Sequence, residues 1–233
     1  MKTLVELQRK IDEILSANWQ RRRGQVVPEA ESVQLGNDAV ELEGTVLYAD
    51  LCDSTGLVQG YKDWFAASVY KTYLMCASEL IKNNGGTITA FDGDRVMALF
   101  IGDQKNTCAA KSALQINHLV AREINPRIKT RFSNSSYELR QAVGIDTSAL
   151  FVAKTGIRGA NDLVWVGRAA NFAAKLCALR DGSHSSFITS EVFEKLADEA
   201  KFGGEPRQSM WTKFIWEEFG TVAYKSSWRW SPK

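Results

Sequence analysis

The sequence predicts an α+β fold, and three observations carry that prediction. From Gly44 onward, apolar runs of strand character alternate with helical stretches in the order strand, helix, strand, strand, helix, strand. An Asp92-Gly93 pair between two such runs is a hairpin turn signal, with Asp94 just beyond the turn. Two aspartates, Asp50 and Asp94, stand at the ends of apolar strand runs, Thr45-Val46-Leu47-Tyr48-Ala49 and the hairpin leading into Arg95-Val96-Met97-Ala98-Leu99-Phe100. This order is that of a ferredoxin-like βαββαβ core, in which helices cover one face of an antiparallel sheet.

Taken in order, Leu4, Leu7, Ile11, Ile14 and Leu15 recur at helical spacing and predict an amphipathic first helix ending near Asn18, whose stripe must bury against something. Arg21-Arg22-Arg23 and the Pro28-containing stretch to Gly36 read as a linker or strap, and so short a basic cluster is a solvated face. The expected organisation is therefore an extension over residues 1–39 and one domain over 40–233. Gly44 to Asp50 is a strand, Trp64 to Asn83 a helix, and Gly86 to Phe100 a hairpin. Thr107 to Arg122 is helical, Leu139 to Asp146, Ala149 to Thr155 and Leu163 to Val166 are strands, and Arg168 to Leu179 is helical. A helix over Ser190 to Ala200 and a closing strand within Gly220 to Trp230 complete the pattern.

The chain has 233 residues, 45% of them hydrophobic, enough for a full core. Its 29 basic and 27 acidic side chains are too evenly balanced to mark a nucleic-acid-binding surface. Four cysteines, Cys52, Cys76, Cys108 and Cys177, are widely spaced without a CxxC pair, which argues against structural zinc. No apolar run approaches the roughly 18 residues of a membrane span, and no signal peptide is apparent, so the expected compartment is the cytoplasm.

The chemistry concentrates around the two aspartates. A carboxylate at the mouth of a buried strand is costly unless paired or metal-bound, so Asp50 and Asp94 together point to a divalent-cation centre. Directly after Asp50, Leu51-Cys52-Asp53-Ser54-Thr55-Gly56 forms a small polar turn opening toward a helix, the kind that presents backbone N–H groups to phosphate. Ser54 and Thr55 serve equally well as a helix cap.

In order and spacing these residues resemble the class III nucleotidyl cyclases. Asp50 and Asp94 match the two metal aspartates of that family. Gly167-Arg168-Ala169-Ala170-Asn171-Phe172-Ala173 matches its glycine-x-x-valine-asparagine-x-alanine helix, with Ala170 in place of valine, and Gly220 to Lys225 matches its closing strand, which ends in a phosphate-binding lysine. The resemblance implies a head-to-tail homodimer with composite sites. In each site Asp50, Asp94 and the carbonyl of Leu51 would bind two Mg²⁺ or Mn²⁺ ions, and Cys52, Ser54, Thr55 and Gly56 would receive the phosphates. Asn171 of the second protomer would orient the ribose, Lys225 would neutralise the β- or γ-phosphate, and Lys175 would take the place of the family's transition-state arginine. Lysine keeps that charge but loses the bidentate fork; Arg168 and Arg229 are alternative cations.

By the family's spacing the adenine-reading positions are Ala90 and Val164, neither of which makes polar contacts, which argues against a purine substrate. A narrower resemblance runs through Val26-Val27-Pro28-Glu29, Leu35-Gly36-Asn37, Val46 to Leu51 and Phe91 to Ala98, and is to the pyrimidine (uridylate) cyclases of bacterial Pycsar antiphage systems. It implies UTP as substrate, Tyr48 as base reader, and a cyclic UMP product acting on a separate effector. A core tyrosine is the rival reading of Tyr48. The rival functions are a CTP or ATP cyclase and a catalytically silent nucleotide-binding module.

Overall fold

The computed structural model describes residues 3–232. In chain order its helices are α1 (Leu4–Ser16), α2 (Ser54–Gly60), α3 (Asp63–Asn83), α4 (Lys105–Leu119), α5 (Asn125–Arg131), α6 (Arg168–Cys177), α7 (Ser190–Glu194) and α8 (Asp198–Lys201). The strands are β1 (Gln20–Arg23), β2 (Asp38–Leu51), β3 (Thr87–Asp92), β4 (Arg95–Phe100), β5 (Gln141–Ile157), β6 (Ala160–Val166), β7 (Ser186–Thr189), β8 (Phe202–Gly203), β9 (Gln208–Ser209), β10 (Thr212–Trp216) and β11 (Thr221–Ser226). The chain divides into two units, residues 44–148 with 168–233 and residues 1–43 with 149–167.

The larger unit holds the βαββαβ core. Its strands lie in the order β10-β11-β7-β5-β2-β4-β3, with β2 antiparallel to β4, β4 to β3, and β7 parallel to β5. Apolar residues of α3 (Phe65, Val69, Tyr73, Ile81) and α4 (Ala109, Ala113, Leu114) pack on Leu47, Ala49 and Leu51 of β2 and on Val96, Ala98 and Phe100 of β4. Burying such a layer is the main favourable term in the fold. α6 packs elsewhere, with Leu176 in a smaller cluster with Ala142, Phe187, Trp216 and Ala223. Gly144 of β5 is where α6 comes closest. A methyl group there would lie 2.2 Å from the carbonyl oxygen of Ala173 and 2.3 Å from the nitrogen of Cys177.

In the smaller unit, Thr3 and Glu6 form a capping box at the start of α1, and Asn37 closes its end by donating from Nδ2 to the carbonyls of Ile14 (3.0 Å) and Ala17 (2.7 Å). β1 runs parallel to the first residues of β2, which sets Arg22 against Asp38 (2.5 Å) and Arg21 near Glu41 (3.5 Å). The basic cluster is thus a solvated strand with acidic neighbours. β5 and β6 form a hairpin from Phe151 opposite Val166 to Ile157 opposite Ala160.

Four expectations need correction. The stripe on α1 is not buried, because Leu4, Leu7, Ile11, Ile14 and Leu15 are all exposed in the single chain. The two strands expected over residues 139–155 are one continuous strand, since Thr147 and Ser148 between them contain neither glycine nor proline to break the extended backbone. The helix expected over Ser190 to Ala200 splits into α7 and α8, where the N–H of Ala197 donates to Thr107 Oγ1 at 2.9 Å instead of to a helical carbonyl. Asp94 lies inside the hairpin turn, not beyond it: Asp92 pairs with Arg95, so Gly93, with φ +60°, and Asp94 are the loop.

Gly144→Ala is expected to destabilise the protein by about 3 kcal/mol, because the backbone of α6 rather than a flexible side chain must give way. A urea or thermal melt that moved by less than a third of that would show that α6 has another seat.

Candidate active site

The alternation of β2 builds the site. Leu47, Ala49 and Leu51 go under α3 and α4, so Val46, Tyr48 and Asp50 take the opposite face. Across that face Asp50 is in register with Arg95, Tyr48 with Met97, and Met97 with Ala90, which places Tyr48 and Ala90 on either side of Met97. Tyr48 is therefore not part of the helix-covered core. Burial pushes its phenol above the ordinary range against the pull of Arg95, whose guanidinium lies 5.8 Å from the ring centre, so the hydroxyl keeps its proton.

The Asp50 side chain is only 14% exposed. Burial and the neighbouring Asp94 carboxylate raise its pKa, outweighing Arg95 and Arg180. Arg180 Nη2 donates to Asp50 Oδ2 at 3.1 Å and to the carbonyl of Leu51 at 3.4 Å, while Arg95 Nε is 3.8 Å from Asp50 Oδ1. Asp94 Oδ2 is buried with no hydrogen-bond partner among the described residues. Two close carboxylates, one with an orphaned oxygen, beside a backbone carbonyl are a hard-oxygen donor set that fits Mg²⁺ or Mn²⁺. No group of three or more His, Cys, Asp or Glu suited to a metal occurs among the described residues, so a cation held here would rest on these two side chains and main chain.

After Leu51 the chain turns sharply through Asp53, which sits in the left-handed region at φ 59°. Asp53, rather than Ser54 or Thr55, caps α2: its Oδ1 accepts from the N–H of Gly56 at 3.2 Å. At the first positions of a helix the N–H groups of Ser54 and Thr55 have no intrahelical acceptor. Cys52 is half-buried and its thiol is raised by burial, so it stays protonated.

Asn171 and Lys175 lie one turn apart on the exposed side of α6, a helix started by the N–H of Ala169 donating to Ser148 Oγ. Lys175 pairs with Glu218. Arg168 is committed elsewhere, to Asp146 (3.0 Å), Glu191 (2.5 Å) and the carbonyl of Thr147, a structural network. Lys225 Nζ donates to Asp181 Oδ2 at 2.8 Å. Burial acts against ionisation of Asp181, yet Lys225 and the N–H groups of His184 and Ser183 hold it below the ordinary carboxylate range.

The fold thus brings together Tyr48, Asp50, Leu51 and Ala90 on neighbouring strands and Asp94 in the turn between β3 and β4, with the Cys52 to Gly56 turn continuing from β2. A chain of contacts through Arg180 and Asp181 leads from Asp50 to Lys225. Val164 lies in the smaller unit, half exposed and opposite Ala153 on the β5–β6 hairpin. Arg180 and Asp181 were not foreseen. They follow a helix in sequence like any solvated loop pair, and nothing in their spacing signals a contact with Asp50.

No family model matches the chain. It is 51% identical to a uridylate cyclase of Xanthomonas perforans over 94% of both chains, and 45% identical to a uridylate cyclase of Burkholderia cepacia over 97% of both. Among solved structures the guanylyl cyclase Cya2 superposes with a TM-score of 0.67 at 20% identity, covering 82% of this chain and 95% of that one.

Asp50→Asn is expected to raise the melting temperature of the metal-free protein by roughly 2–4 °C, the shift that about 1 kcal/mol gives at this length. A carboxyl whose folded pKa is raised stabilises fully below its unfolded pKa, and that contribution is lost as pH rises through the folded value. Melts at pH 5 and pH 8 should therefore differ less for the variant than for the parent, and an equal pH response would refute the raised titration of Asp50.

Proposed function

Because the chain belongs to the uridylate cyclases, within the class III nucleotidyl cyclases, we propose that it converts UTP to 3′,5′-cyclic UMP and pyrophosphate. No helix among the described residues is long and apolar enough to cross a membrane. The observation that carries the reading at the level of the site is the orphaned Asp94 oxygen beside Asp50: a buried carboxylate oxygen without a protein partner is the kind of atom that a cation completes.

In this reading Asp50, Asp94 and the carbonyl of Leu51 hold two divalent ions, Mg²⁺ or Mn²⁺. Such ions, when bound, acidify the ribose 3′-hydroxyl and neutralise the triphosphate. The protein's own part is position and charge. Cys52, Ser54, Thr55 and Gly56 form the turn that receives the phosphates, with the N–H groups of Ser54 and Thr55 as donors. The exposed side of α6 supplies Asn171 to a second protomer in a head-to-tail homodimer, where its amide orients the ribose. Lys175, one turn on, faces the charge that grows on the α-phosphate, and must leave Glu218 to do so. Lys225 binds the β- or γ-phosphate. The 3′-oxygen forms its bond to the α-phosphorus as the bond to the β-phosphate oxygen breaks, and pyrophosphate leaves.

Base choice falls to the strip Tyr48, Met97 and Ala90. The protonated Tyr48 hydroxyl is a donor for a uracil carbonyl, and its ring narrows the strip against a purine. Ala90 and Val164 offer no polar contact to adenine. The resemblance to antiphage pyrimidine cyclases supports extending the proposal to a second-messenger role, with the product acting on a separate effector.

Incubation of the purified protein with each of the four ribonucleoside triphosphates and Mn²⁺, read by mass spectrometry, should give cyclic UMP as the main product. No cyclic product from any of them, with phage lysate also tried as activator, would sink the proposal. Asp94→Ala should lower turnover by roughly 10²–10³-fold with an unchanged circular dichroism spectrum, whereas a silent binding module has no turnover to lose. Tyr48→Phe keeps the packing and removes the donor, so discrimination between UTP and CTP should fall by about tenfold; unchanged discrimination removes Tyr48 from base reading.

A further inference from the structure

The loop between α6 and β7 joins two functional groups through adjacent residues of opposite charge. Arg180 lays its guanidinium on Asp50 Oδ2 and the carbonyl of Leu51, and anchors its other nitrogen on the carbonyls of Cys177 and Leu179. Asp181 lays one carboxylate oxygen on Lys225 Nζ and on the His184 ring Nδ1 (2.7 Å), while the other accepts from the N–H groups of Ser183 (3.1 Å) and His184 (2.8 Å). A cation therefore sits on the oxygens assigned above to metal, and an anion on the lysine assigned to phosphate. The two charges reproduce, with side chains, the electrostatic pattern of a bound metal–nucleotide.

Behind the same arginine lies a cavity of about 590 Å³, lined among others by Cys52, Arg140, Gln141, Arg180, Ser185 and Arg229. Both polar atoms of the Gln141 side chain, a residue 4% exposed, and the buried Ser185 hydroxyl have no hydrogen-bond partner among the described residues. Its lining sets three guanidinium groups against the carboxylates of Asp53 and Glu138, and with the unpartnered Gln141 amide and Ser185 hydroxyl it is suited to an anionic, hydrogen-bonding occupant. It adjoins the phosphate-receiving turn through Cys52 and Asp53.

We propose that Arg180 and Asp181 are placeholders for metal and phosphate: Arg180 holds the metal oxygens until metal displaces it and then turns to the polyphosphate as a positioning residue, while Asp181 holds Lys225 until phosphate displaces it. The proposal rests on the metal role of Asp50 and adds two residues to that reaction. A purely structural account is also available, in which Arg180 caps the C-terminal carbonyls of α6. The two accounts differ in the signs of measurable effects. If Arg180 only props the loop, its loss weakens every ligand of the site together. If it is a placeholder, its loss helps metal and harms polyphosphate.

The test uses the full chain and two probes that need no turnover. Mn²⁺ alone is titrated with free ion read by electron paramagnetic resonance, and inorganic pyrophosphate is titrated in EDTA by calorimetry. Arg180→Gln should bind Mn²⁺ about fivefold tighter and pyrophosphate about fivefold weaker, with Arg180→Lys between it and the parent. Asp181→Asn keeps the acceptor for the backbone N–H groups of Ser183 and His184 but drops the charge that faces Lys225 and the His184 ring, and should bind pyrophosphate about fivefold tighter. Shifts of the same sign for both probes in Arg180→Gln, or none, would overturn the proposal. Asp50→Asn separates it from the reading beneath: if that change leaves Mn²⁺ binding untouched the metal site itself is wrong, whereas if Mn²⁺ binding falls there but Arg180→Gln does not tighten it, only the placeholder role is lost.

Discussion

The site depends on the period-two alternation of β2. Leu47, Ala49 and Leu51 must face α3 and α4 to fill the core, and that requirement alone turns Tyr48 and Asp50 to the other side. A slip of one residue would bury both polar groups under the helices and strip the core of its largest β2 side chains. The hydrophobic layer and the chemistry are thus fixed by one register, and β4 repeats the arrangement with Val96, Ala98 and Phe100 inward and Arg95 and Met97 outward. The turn residue Asp94 inherits its position from that pairing, since a two-residue loop cannot move independently of the strands it joins.

On this frame the protein keeps an arrangement that folding by itself would not favour. Two carboxylates are close enough for one to raise the other's pKa, one of their oxygens is buried without a partner, and Asp53 holds a left-handed backbone at the turn between them and α2. Such features persist where the surrounding structure over-determines them, and here the packed strands do so. In the single chain Asp50 is met by Arg95 and Arg180, and Lys175 and Lys225 by Glu218 and Asp181, while the buried oxygen of Asp94 is left without a partner among the described residues.

Much of this was legible in the sequence, for reasons that differ from residue to residue. Asp50 and Asp94 stand out because strand patterns and a two-residue turn are local signals, and β2, α3 and the β3–β4 hairpin follow directly from periodicity. The face of Tyr48 needed only the knowledge of which side the helices cover. The Arg180 to Asp50 contact spans 130 positions and depends on how the loop after α6 settles, which no local pattern encodes. The opposite failure occurred at α1, where a strong amphipathic stripe implied burial that the single chain does not provide. Amphipathicity states that a face is suited to a partner and is silent on which molecule carries it.

The pairing of Lys175 with Glu218, Lys225 with Asp181 and Arg180 with Asp50 has a kinetic meaning as well. Cations that are already neutralised cast little field into solvent, and a chain whose formal net charge is only +2 adds little more. If these groups bind the nucleotide as proposed, it is not drawn in over long distances; it would arrive by ordinary diffusion and take hold by exchanging ion-pair partners at contact. Selection would then operate on the residence time of the bound nucleotide instead of its arrival rate, and molecules distinguished only by total charge would gain no advantage at the entrance.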